Sequence, residues 1–151
     1  GQTTDEKYSE DVKSVDAIIK AYYDVNSGSS SDPWEFERDT YTHSKNAHII
    51  LLDENGKAEL VKLEVLQNEF RMSERKDSYE KELKRKVSQF GNIVQVWSAY
   101  EIRYEPETST NNRGLVSIQL HYEKGRWWID GWTNQMESDK NSVVTTFLTK
   151  E

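Results

Sequence analysis

Residues 91–104 read Gly91-Asn92-Ile93-Val94-Gln95-Val96-Trp97-Ser98-Ala99-Tyr100-Glu101-Ile102-Arg103-Tyr104. Side chains alternate along a strand, so Gln95, Trp97, Glu101 and Arg103 share one face, and Val94, Val96, Ser98, Tyr100 and Ile102 the other. The same partition recurs at 114–123, where Ser117, Gln119 and His121 oppose Val116, Ile118, Leu120 and Tyr122. Gly91-Asn92 and Lys124-Gly125 are turn signals, and residues 80–89 and 126–135 supply two more strands. Residues 106–113 form a polar loop. Connections this short cannot carry a parallel crossover, so 80–135 is predicted to be a four-stranded antiparallel meander.

Upstream the apolar period changes to that of a helix. Val12, Val15, Ile18, Ile19, Tyr22 and Tyr23 mark a helix over 9–25. Asn26-Ser27-Gly28 ends it, and Ser29-Ser30-Ser31 links it onward. Asp32-Pro33 with Glu35 reads as the cap and first turn of a second helix that reaches 39–42. Ala47-His48-Ile49-Ile50-Leu51-Leu52 is a buried strand, and Asn55-Gly56 a hairpin-type turn. Leu63, Leu66, Gln67 and Phe70 define a third helix over 62–73. Helices first and strands last imply an α+β domain over 9–137, its helices packed on one sheet face. Residues 1–8 are read as a loose polar end. The tail at 138–151, apolar only at Val143-Val144 and Phe147-Leu148, docks as an edge strand or stays loose.

Composition bounds the function. Charged residues make up 31%, which alone suggests disorder, yet five Trp, eight Tyr and four Phe supply a core. A chain of this length buries roughly 68–70% of its unfolded surface. The net charge of −7 disfavours phosphate backbones and anionic membrane surfaces. There is no cysteine, hence no disulfide, thiolate metal site or thiol nucleophile. No apolar run is long enough to insert in a bilayer. The polar Gln2-Thr3-Thr4 near the start is typical of a mature end after signal-peptide removal, so export to the periplasm or cell exterior is the expectation, with a cytoplasmic chain as the alternative.

Several stretches resemble bacterial SnoaL-like proteins of the nuclear transport factor 2-like superfamily: Arg85-Lys86-Val87-Ser88-Gln89-Phe90-Gly91-Asn92-Ile93, Val96-Trp97-Ser98-Ala99-Tyr100-Glu101, Gly114-Leu115-Val116-Ser117-Ile118-Gln119-Leu120, and the hairpin Gly125-Arg126-Trp127-Trp128-Ile129. The helix ending Ala21-Tyr22-Tyr23 fits their first helix. The resemblance spans about 9–137. It implies a cystatin-like cone, a strongly bent antiparallel sheet wrapped around helices with a cavity between them, and dimers through the outer sheet face. It licenses a pocket but not a reaction, because the fold hosts many roles. Relatives often carry His where Lys84 and Gln95 stand, and this sequence departs at both.

A ligand-binding cone interior is apolar with a few convergent polar groups. The Trp97/Gln119 face is therefore predicted to line the cavity, with Tyr22, Trp34 and His43 near its mouth. Antiparallel sheets also expose one polar face, which leaves the opposite assignment open. With Trp97 and Gln119 inward, the stripe of Val94, Val96, Tyr100, Val116, Ile118 and Tyr122 needs a cover, and a homodimer is expected. His43 is the best placed of three histidines for acid–base work, while His48 packs and His121 is solvated. No two have metal-ligand spacing, and no phosphate loop or nucleophile elbow appears, so neither metal nor cofactor is expected. Glu82 or Glu101 could act as a base beside Tyr22, Tyr23 or Tyr100, and no residue can be named as catalytic. Three functions remain: binding of an unidentified apolar or amphipathic small molecule, an isomerase, cyclase or dehydratase, or an interaction module with a filled core.

Overall fold

The computed structural model describes residues 1–104 and 112–149, and most of the loop read at 106–113 lies outside the described residues. The elements run α1 (Thr4–Tyr8), a 3₁₀ turn (Ser9–Val12), α2 (Val15–Asp24), α3 (Phe36–Thr42), β1 (His43–Leu52) and β2 (Ala58–Lys62). Then follow α4 (Leu63–Met72), β3 (Ser78–Phe90), β4 (Ile93–Tyr104), β5 (Arg113–Glu123), β6 (Arg126–Met136) and one π-helical turn (Val144–Leu148). Six strands form one sheet in the order β2-β1-β6-β5-β4-β3.

The helix read across 9–25 is split. Ser14 is extended, and its hydroxyl accepts from the Ala17 amide at 3.0 Å, so α2 begins there with a fresh cap. The second helix starts at Phe36, later than its Asp32-Pro33 signal. Asp32 instead accepts from the Ser29 amide at 2.9 Å and closes a turn. Residues 4–8, read as part of a loose end, form a short helix tied to α3, with the Tyr41 hydroxyl donating to Asp5 at 2.9 Å.

β3 to β6 pair antiparallel as predicted. The sheet as a whole is mixed, because β1 joins β6 in parallel and β2 covers the far edge of β1. Gly131 makes the parallel pairing possible: a Cβ there would lie 2.7 Å from the His48 carbonyl oxygen. Extra residues interrupt the ladders between Glu82 and Lys84 and between Gln119 and Leu120. Such bulges bend and twist a sheet.

The apolar stripe faces the helices. Val94, Val96, Val116, Ile118 and Ile129 are fully buried against Ile18, Ile19, Tyr22 and Tyr23 of α2. Over part of the outer face lies the C-terminal segment, whose Val143 and Phe147 pack with Ala99, Leu83 and Leu115. It docks as a helical turn, and Lys84 Nζ donates to the Phe147 carbonyl at 3.1 Å.

Candidate functional site

Between the helices and the inner sheet face lies a cavity of about 380 Å³. Leu63, Leu66 and Phe70 of α4 form one wall, and Tyr100, Trp132 and Met136 of the sheet the opposite one. Tyr22 of α2 closes the inner end, with Trp34 just ahead of α3 and Phe36 at its first position. The two rings stack at 5.7 Å, and Phe70 lies 5.4 Å from Trp34. These walls follow from the helical period of α4 and the alternation of β4 and β6, each of which turns its apolar residues to one side.

Glu80 of β3 is the unusual member. Its amide donates to Ser27 Oγ at 2.9 Å, and that hydroxyl donates to the Tyr23 carbonyl at 3.0 Å. Two backbone hydrogen bonds between Gly28 and Ser78 clamp the same corner. Gly28 has φ +149°, and a Cβ there would meet the Arg75 guanidinium at 2.6 Å, so the link needs glycine. The clamp sets the Glu80 carboxyl under the end of α2, lining the cavity. The residue is only half-buried, but its Oε2 is closed off from solvent and has no hydrogen-bond partner among the described residues. Burial pushes its pKa up to about 8. Burial, chiefly, also raises Tyr22 and Tyr100, with the Glu80 charge adding to it, so both phenols stay neutral. Tyr100 Oη donates to Asn134 Oδ1, with Met136 Sδ at 3.2 Å.

Arg75 sits on the rim. Its guanidinium lies 4.0 Å over the Trp34 ring and donates to the Asp32 and Ser27 carbonyls at 2.9 and 3.1 Å, while its buried Nε is unpaired among the described residues. Among the described residues no cluster of metal ligands occurs.

Of the five residues named from sequence, Tyr22 and Trp34 line the cavity. His43 stands behind the wall, almost fully buried. It accepts from Trp132 Nε1 at 3.2 Å, and its Nδ1 lies 2.7 Å from the Asp39 carbonyl. The tautomer with its proton on Nδ1 satisfies both contacts, so the ring orients Trp132 and does not line the cavity. Trp97 and Gln119 are corrected: they lie on the outer face, away from the cavity. Gln119 finds its partner in a cross-strand ladder, donating to Gln95 Oε1 at 3.1 Å, while Gln95 donates to Ser117 at 2.6 Å. Trp97 borders a separate groove of about 240 Å³ beside the C-terminal turn. The alternation was read correctly. Its orientation was not, because the mostly apolar face outweighs the mixed one for the core.

His48, expected to pack, is exposed, and His121 is held by Asp130 at 2.7 Å. Glu82 is spent, accepting from Arg85 at 2.7 Å and from Ser98. Glu80 is not legible in the sequence because its clamp joins residues 53 apart in the chain. Only the strand parity with Glu82 hinted at it.

No protein-family model matches the sequence, and no curated protein matches it. Solved structures do. An NTF2-like protein of unknown function from Pseudomonas putida superposes with a TM-score of 0.64 at 10% identity, over 94% of this chain and 95% of its own. An uncharacterised protein with a cystatin-like fold from Caulobacter vibrioides gives 0.61 at 10%, over 87% and 94%. A protein of unknown function with a cystatin-like fold from Nostoc punctiforme gives 0.60 at 13%, over 81% and 90%. The bent mixed sheet, the helices on its inner face and these superpositions together establish that the chain has the nuclear transport factor 2-like, cystatin-like fold.

Proposed function

We propose that the cavity binds a small, largely apolar molecule carrying one polar end. The observation behind this is the Glu80 carboxyl, which lines the cavity beside Tyr22, Tyr100 and Trp132 and whose buried Oε2 has no partner among the described residues. A buried polar oxygen without a partner costs about 1–3 kcal/mol, and a bound polar group removes that cost. The open volume also favours ligand binding over a filled-core module. A neutral fluorescent probe, N-phenyl-1-naphthylamine, tests it. It should bind the native protein, and Leu63→Trp, which fills the cavity from α4, should abolish binding while the urea midpoint stays within the native range. Equal binding by both proteins would overturn the reading.

A second reading is favoured by the elevated Glu80 pKa, which places its titration near neutral pH, as general acid–base work requires. The carboxylate would take a proton from a carbon beside a carbonyl and return it, so no co-reactant is needed. Exchange of the α-protons of 2-tetralone into heavy water, followed by NMR, should then be accelerated by the native protein and not by Glu80→Gln.

A homodimer remains part of the proposal, now through the outer face. Phe90, Ile93 and Trp97 are 85%, 64% and 45% exposed there, an apolar surface beside the docked C-terminal turn.

A further inference from the structure

We infer that the polar end of the ligand is an organic cation, an amine or quaternary ammonium on an apolar body, with Glu80 as its counter-ion. This rests on the cavity-binding reading above and narrows it to one chemical class.

Three observations carry it. First, Glu80 is a built carboxylate without a counter-ion: no Lys, Arg or His among the described residues pairs with it. Second, the space around it is aromatic. Tyr22, Tyr100 and Trp132 form the buried floor, and Trp34, Phe36 and Phe70 the way in. Ring faces attract cations, most strongly where water is excluded, and this protein already uses its rings so, with Arg75 over Trp34 at 4.0 Å and Arg71 over Phe36 at 4.6 Å. Third, the charged residues lining the cavity are Glu35, Asp39, Glu74 and Glu80 against Arg75 and Lys76, and the whole chain carries −7. Both basic residues belong to the rim segment ahead of β3, and Arg75 is engaged with Trp34 and two carbonyls. The field at the inner end thus favours an incoming positive charge.

The groups facing Glu80 sharpen the consequence. They are Tyr22 and Tyr23 from α2 and Tyr100 from β4, with Glu82 two residues on along its own strand. None is basic, and the three phenols are raised. His43 lies behind Trp132. Without ligand, Glu80 therefore holds a proton at neutral pH, and a bound ammonium displaces it. The cation should bind with proton release, and its affinity should rise with pH up to about 8.

Titration calorimetry with biphenyl-4-ylmethylamine and its neutral counterpart biphenyl-4-ylmethanol tests this. Amine affinity should climb by up to about tenfold per pH unit between pH 6 and 8, with about one proton released at pH 7. The release is read from the difference in heat between phosphate and Tris buffers. The alcohol should show no such climb. Glu80→Gln, which keeps the shape of the side chain, should flatten the amine profile and weaken amine binding at pH 8 by about tenfold or more. An amine no tighter than the alcohol at pH 8, or a pH profile that survives in Glu80→Gln, would overturn the inference and leave the cavity reading standing. If neither compound binds, the cavity reading fails and this inference with it.

Discussion

Glu80 lies where burial opposes its charge, and the consequence for stability has a definite sign. Its folded pKa, about 8, lies above the ordinary carboxylate value of 4.5. The folded state therefore binds the proton more tightly than the unfolded chain. That contribution is fully present below about pH 4.5 and is lost as pH rises through 8, at no more than about 1.4 kcal/mol per pH unit. Glu80→Gln should match the native protein at pH 4 and exceed it at pH 9 in urea midpoint. Parallel pH profiles for the two proteins would contradict the assignment. His43 illustrates the other fate of a buried polar residue. Both its nitrogens are engaged within the wall, so it contributes to the cavity only by holding Trp132 in place.

At the scale of elements, two joints decide where the cavity lies. The first is the corner between α2 and β3, where Ser27 and Gly28 hold Ser78 and Glu80. The second is the parallel seam between β1 and β6. There Gly131 leaves room for the His48 carbonyl, and α3, which runs directly into β1, is held beside the sheet. Gly131→Ala forces a methyl group against backbone and should cost about 1–3 kcal/mol. Hydrogen exchange should locate the damage. Amides of β1 and β2 should lose protection while those of β4 and β5 keep theirs; uniform loss across the sheet would show that the seam is not a separate joint.

For the whole molecule, the outer sheet face divides into a covered part and an open part. The C-terminal turn buries Ala99, and beyond it Phe90, Ile93 and Trp97 stand open. Sedimentation equilibrium at micromolar concentration should give a dimer, and Phe90→Asp together with Ile93→Asp should return it to monomer. A native monomer across that range would remove the dimer and leave the cavity proposals untouched.

The sequence by itself determined the α+β class, the meander from β3 to β6 and the partition of each strand into two faces, because strand alternation and short turns are local properties. That Tyr22 and Trp34 border the cavity on the helical side was legible as well. The tertiary structure alone decided which strand face meets the helices, that β1 joins β6 in parallel, and that Glu80 rather than Glu82 keeps a free carboxyl oxygen. Each of these depends on partners distant in the chain. Periodicity separates two faces but carries no sign, and only the packing of α2 on Val94, Val96 and Ile118, with the Ser98 hydroxyl of β4 donating to Glu82, supplies it.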